Sequence, residues 1–168
     1  MMNLNDTPSA VPVPNIGALH TRIAPVGSRV TCDPAPLTTD CDWLVLIDRE
    51  KWSEFQTHLD RLGWEQGGSE IPEESNTLDD DAKFTSFTFG ADNLICTVSP
   101  AFFRRFLAAT SVSKRLNLMV KKDRIALFQA VLYGSDYTEQ LRQRADAELN
   151  LGKLLSAAGI ALPDMLAS

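Results

Sequence analysis

Five consecutive apolar residues, Trp43-Leu-Val-Leu-Ile47, leave this chain few choices. The run has the length of a strand, and neither alternating set of its side chains is polar, so both of its faces must be buried. Such a strand needs sheet neighbours on its edges and cover above and below. The flanking patterns supply them. Residues 22–31 read as a short strand leading into a turn. Lys83-Phe-Thr-Ser-Phe-Thr-Phe89 alternates at period two, Gly90-Ala-Asp-Asn93 turns it, and Leu94-Ile-Cys-Thr-Val98 follows, which predicts a hairpin.

Helical spacing provides the cover. Trp52, Phe55, Leu59 and Leu62 recur on one helix face, with Asp48 as the expected cap and Gly63 as the stop. Ser99-Pro100 opens a helix whose apolar face is Phe102, Phe103, Phe106 and Leu107. Asp123 is the expected cap of a further helix bearing Ile125, Leu127, Phe128, Val131 and Leu132 and stopping at Gly134, and a last helical region is expected over 136–158. The order predicts an α/β (α+β) chain: a small mixed sheet covered by helices. Residues 1–15 are expected to form a Pro-rich arm, 16–100 the sheet core, and 101–168 a helical region packed on the same domain.

Length and composition set outer bounds. The chain has 168 residues, enough for one domain with a real core. Its three cysteines, Cys32, Cys41 and Cys96, contain no C-x-x-C pair, and only His20 and His58 are available as partners. That argues against structural zinc and fits a reducing, cytoplasmic compartment. No apolar run approaches the roughly 18 residues of a membrane helix. The net charge of −6 argues against a uniformly basic binder of duplex DNA. The charge is unevenly spread. Residues 65–82 hold seven acids and no Lys or Arg, whereas 104–124 hold seven basic residues against Asp123 alone.

One arrangement points to chemistry. Val26-Gly27-Ser28 closes the first strand, and Asp40-Cys41-Asp42 opens the apolar one, with Asp40 thirteen residues after Gly27. Residues i and i+2 of a strand share a face, so Asp40 and Asp42 project side by side while Cys41 points away. Two adjacent carboxylates repel unless a cation or a proton lies between them. Hard divalent cations such as Mg²⁺ take oxygen ligands and combine a few carboxylates with substrate phosphates. Gly27 leaves its backbone accessible to a phosphate, and Ser28 offers a hydroxyl and an N–H.

The pattern Gly27-Ser28 followed by Asp40-Cys41-Asp42 on an apolar strand resembles the DNA polymerase beta-like nucleotidyltransferase superfamily. The resemblance covers roughly residues 22–100. It implies a nucleotidyltransferase-like sheet core and transfer of a nucleotidyl group from a nucleoside triphosphate to an acceptor hydroxyl. It further implies that Asp40 and Asp42 hold Mg²⁺, two ions if a third carboxylate is present, and that Gly27 and Ser28 cradle phosphates. The family's third carboxylate lies on a later strand and activates the acceptor. Leu94–Val98 carries no acid, so Asp92 at its entrance is the candidate, with Asn93 as the neutral competitor for the same place. Lys114 and Arg115 are candidates to steady the triphosphate or acceptor. In its small size, its acidity and its Lys114-Arg-Leu-Asn-Leu118 stretch the chain also resembles uncharacterised bacteriophage proteins.

Ordinary explanations exist beside these. Asp is common at strand ends, Asp-Asn is at home in a hairpin turn, and exposed lysines often do no more than solvate a helix. Three readings follow: a Mg²⁺-dependent nucleotidyltransferase acting on a nucleic-acid or protein acceptor; a catalytically silent relative that binds a nucleotide, a nucleic acid or a protein; and an interaction protein whose acidic 65–82 segment docks on a basic partner. Replacing the acids of 65–82 by their amides separates the third from the others. Pull-down of a basic partner should then be lost while nucleotide binding, measured by calorimetry, is retained.

Overall fold

The computed structural model describes residues 12–37, 40–67, 84–133, 155–156 and 158–160. Trp43–Ile47 is the heart of β2 (Cys41–Ile47), and every residue of that run is buried. Its neighbours are β1 (His20–Val26), which is antiparallel to it, and β5 (Asp92–Thr97), which is parallel. β4 (Thr85–Phe89) pairs antiparallel with β5, and the two-residue β3 (Glu65–Gln66) completes the edge. The five strands form one mixed sheet in the order β1-β2-β5-β4-β3.

Parity along β2 sorts the core into two layers. Trp43, Val45 and Ile47 point to one face with Leu94, Cys96 and Phe87. There they meet Trp52, Phe55 and Leu59 of α2 (Trp52–Arg61) and Ile16 of the preceding segment. Leu44 and Leu46 point to the other face with Val26, where Phe102, Phe103 and Phe106 of α3 (Pro100–Leu116) cover them, joined by Leu132 of α4 (Lys121–Tyr133). A third cluster lies between α3 and α4 and includes Leu155. This is the mixed α+β sheet with helical cover that the patterning predicts.

The strands, the hairpin and the helix opened by Ser99 form as the sequence predicts, except that β5 starts at Asp92, inside the expected Gly90–Asn93 turn. Ser99 accepts a hydrogen bond from the Phe102 N–H at 3.1 Å, with Pro100 at the first helical position. Two expected caps differ. Asp48 makes no cap hydrogen bond; its carboxylate accepts from Thr21 at 3.1 Å and pairs with Lys51 at 3.7 Å. A 3₁₀ turn over Arg49–Lys51 intervenes before α2. Asp123 lies inside α4, which starts two residues earlier at Lys121. β3 was not legible, because two exposed polar residues carry no periodicity. A four-residue helix, α1 (Ser28–Thr31), follows Gly27 directly. Residues 1–11 of the expected 1–15 arm, residues 68–82 of the acidic segment, the expected stop at Gly134, and residues 136–154 and 157 of the expected 136–158 helical region lie outside the described residues.

Phe55 is fully buried between the sheet and α2, while Leu37 is 95% exposed. Phe55→Ala should cost about 3–5 kcal/mol through lost burial and an unfilled cavity. Leu37→Ala should stay within about 0.5 kcal/mol. Urea denaturation midpoints of the two variants check both.

Candidate functional site

The sheet brings the predicted elements together at one corner. Asp42 sits at the start of β2, opposite Val26 on β1 and Asn93 on β5. Its parity is that of Leu44 and Leu46, so it lies on the face covered by α3 and α4. Immediately beyond Val26, Gly27 has φ 77° and ψ −172°, a region open essentially to glycine alone. A Cβ on Gly27 would also overlap the Asp42 side chain, 2.8 Å from its Cγ. The Gly27-Ser28 pattern predicts a backbone open to the approach of a phosphate. In the structure the space left by its missing side chain is taken first by the Asp42 carboxylate. Ser28, half-buried, starts α1 from that turn.

The third position goes to Asn93. Its Nδ2 donates to Asp42 Oδ1 at 2.8 Å. Asp92, one residue earlier on β5, faces the other layer, where its carboxylate accepts from the Trp43 indole N–H at 3.1 Å. The structure therefore does not bring Asp92 to the Asp40–Asp42 pair. Parallel register decides this: Asp42 is level with Asn93, and adjacent residues of a strand point to opposite faces. Cys41 packs toward the Trp43 layer, as its position between the aspartates requires.

The basic helical region contributes through its turn. Asn117 ends α3 in the left-handed conformation, φ 46°. Its Oδ1 accepts from the Asp33 N–H at 2.9 Å, and its Nδ2 donates to the Asp33 carbonyl at 3.0 Å. Arg124 Nη1 donates to the carbonyls of Leu118 at 2.8 Å and Met119 at 2.9 Å. These bonds tie the α3–α4 turn to the segment just after α1 and set the start of α4 beside the site. Lys121 is the cation felt by Asp42. Arg115 donates to the Ala158 carbonyl at 3.1 Å, and Lys114 is exposed on the last turn of α3. Sequence spacing did not separate Lys121 from its basic neighbours, because its placement depends on how the turn is anchored.

The charge state of Asp42 follows from these surroundings. Burial pushes its carboxyl above the usual carboxylate range, and the Asn93 hydrogen bond opposes that. The exposed Asp40 raises it further, and Lys121 lowers it. Among the described residues no group of three or more His, Cys, Asp or Glu side chains could hold a metal ion. Neither histidine approaches the corner: His20 is level with Ile47 at the far end of β2, and His58 packs on Gly17. The thiol of fully buried Cys96 is raised well above its ordinary value by desolvation, which makes it a core group.

No family model and no curated protein matches this chain. Among solved structures it is similar to the conserved protein GrpB from Enterococcus faecalis, with 14% identity, 83% of each chain covered and a TM-score of 0.46. No helix among the described residues is long and apolar enough to cross a membrane.

A raised carboxyl pKa means that the folded state resists ionising Asp42, so folding is penalised once pH rises above the unfolded value near 3.8. Asp42→Asn removes that penalty and can keep accepting the Asn93 hydrogen bond. The variant should be more stable than the parent at pH 7 without divalent cations. The gain should shrink toward zero as pH falls below the carboxylate range, as measured by urea unfolding at both pH values. Gly27→Ala should cost about 1–3 kcal/mol through strain alone, checked in the same way.

Proposed function

We propose that this chain binds a nucleoside triphosphate together with Mg²⁺ at the Gly27–Asp42 corner and transfers its nucleotidyl group to an acceptor oxygen. The observation that carries the reading is the seating of Asp42. A carboxylate that burial disfavours is held against a glycine-only turn, beside a second carboxylate, on the start of the central strand. Such groups are destabilising by themselves and are characteristic of sites that await a charged ligand.

The donor set fits a hard cation. It consists of carboxylate oxygens, and Asn93 occupies one oxygen of Asp42, leaving the other over Gly27. Asp40 and Asp42 would hold the ion, which supplies positive charge to offset that of the phosphates. Gly27 and Ser28 would border the phosphates, and Lys121 adds a positive charge on the α4 side. Lys114, on the last turn of α3, is a more distant candidate for the same task. Asp92, bonded to Trp43 on the other layer, is assigned no part in the transfer.

A specific observation favours a second reading, in which the protein binds nucleotide without turnover. The amide of Asn93 stands where the resemblance implies a carboxylate, so one negative charge and one proton acceptor are missing.

Calorimetric titration with each of the four nucleoside triphosphates tests the binding that both readings share. Binding should require Mg²⁺ and fall at least about tenfold, or roughly 1.4 kcal/mol, in the Asp40→Ala, Asp42→Ala double variant. Unchanged affinity in that variant sinks the metal-site idea. Release of pyrophosphate from the bound triphosphate distinguishes transfer from silent binding.

A further inference from the structure

The turn between α3 and α4 turns apolar side chains to solvent. Met119 is 47% exposed, Val120 56% and Ile125, about one turn into α4, 40%. Of the six large apolar side chains exposed among the described residues, these three fall within seven positions, and such a patch marks a contact surface. Their neighbours are cations. Lys114 and Arg115 are exposed on the last turn of α3, and Lys121 and Lys122 on the first turn of α4. Residues 111–122 contain no acid, and Asp123 is buried. Asn117 holds Asp33 beside the turn, but Arg29 of α1 and Arg124 add to the four cations. Six positive groups thus outnumber Asp33, Asp40 and Asp42 at this end of the molecule.

The backbone of the turn is closed on itself. The Leu118 carbonyl accepts from Arg124 Nη1 at 2.8 Å and from Cys32 Sγ at 3.5 Å, and the Met119 carbonyl accepts from the same Nη1 at 2.9 Å. The Val120 carbonyl accepts from the Asp123 and Arg124 N–H groups, and the Leu118 N–H donates to the Ser113 carbonyl. A turn facing water needs few such bonds, because solvent supplies partners. In hydrocarbon an unpaired polar group is strongly penalised. This turn keeps its carbonyls paired and its apolar side chains outward. Its shape narrows the partner further. A helix–helix turn is convex and offers a peptide no groove, and three side chains fall well short of the roughly 800 Å² per partner of a stable protein interface. A lipid surface yields to a convex tip and joins an apolar interior to anionic headgroups.

We infer that the α3–α4 turn docks this protein reversibly on an anionic membrane surface. Met119 and Val120 enter the acyl boundary, and the cations around them lie among the headgroups. The start of α4 adds the positive end of a helix dipole. The net charge of −6 does not oppose this, because exposed charges more than about 10 Å away are largely screened at ordinary salt. The docking does not depend on nucleotide binding.

The test is flotation of the full chain with vesicles of phosphatidylcholine alone and of phosphatidylcholine and phosphatidylglycerol in equal parts. The expected result is binding to the mixed vesicles, little binding to phosphatidylcholine, and release by about 0.5 M NaCl. Met119→Ser with Val120→Ser, and separately Lys114→Ser with Lys122→Ser, should each lower the partition coefficient about tenfold or more. Met119→Leu with Val120→Leu should preserve it. Val13→Ser, at an exposed apolar residue near Ile16 of the other layer, should leave it unchanged. All these positions are exposed, so urea midpoints close to the parent's confirm folding. Trp43, Trp52 and Trp64 are buried, so Val120→Trp adds an exposed reporter. Its emission should shift to the blue on mixed vesicles and be quenched by brominated acyl chains. Absence of binding to the mixed vesicles, binding untouched by the Met119 and Val120 serines, or an unquenched Val120→Trp would overturn the inference. Retention on polyglutamate without vesicle binding would overturn it too, and would assign the patch to an acidic protein.

Discussion

The burial of β2 on both faces is the constraint from which the remaining architecture follows. A strand without a polar face must be central, so β1 and β5 flank it and each layer must be closed by helices. α2 closes the Trp43 layer, and α3 with part of α4 closes the Leu44 layer. Because β2 is central, its first residues reach the sheet edge where the β1–α1 turn and the start of β5 also arrive. Asp42 is therefore held by a strand whose run Trp43–Ile47 is wholly buried, and Asp40 lies just before that strand. A rigid strand positions side chains better than a loop does.

The corner is organised by mutual exclusion as much as by attraction. Gly27 has no side chain, and Asp42 occupies the space a side chain would need. Asn93 donates to Asp42 and so keeps the carboxylate oriented, while its neighbour Asp92 is held on the other layer by Trp43. The α3–α4 turn is fastened to Asp33 by Asn117 and to Cys32 by the thiol's hydrogen bond to the Leu118 carbonyl, with Arg124 bonded to carbonyls within the turn and 3.3 Å from Cys32 Sγ. The two halves of the chain thus meet beside Asp42, although their residues are far apart in sequence. A cation at this point would relieve the repulsion between Asp40 and Asp42 that the fold leaves standing.

Much of this was legible in the residues themselves. The apolar run Trp43–Ile47, the alternating Thr85–Phe89 stretch and the Ser99-Pro100 helix start each carry a local physical signature, and each became the element it predicts. The face of Asp42, shared with Leu44 and Leu46, is likewise fixed by the two-residue period of a strand, whereas Asp40 precedes β2. The expected caps, Asp48 and Asp123, differ for separate reasons. Asp48 is used by Thr21 and Lys51 instead of a helix N–H, and α4 begins two residues before Asp123, at Lys121.

The sequence alone determined that two carboxylates, Asp40 and Asp42, adjoin a doubly buried run and that a Gly-Ser pair precedes them. Which residue of Asp92 and Asn93 stands beside those carboxylates was decided only by the tertiary structure. Both lie at the same strand entrance, and no local propensity separates them. The parallel pairing of β5 with β2 fixes the level, and a slip of one residue would have exchanged their faces. The same holds for Lys121, which is one basic residue among several until the α3–α4 turn is anchored to Asp33. Long-range register and anchoring set the site's chemistry, because they depend on contacts that no window of the sequence contains.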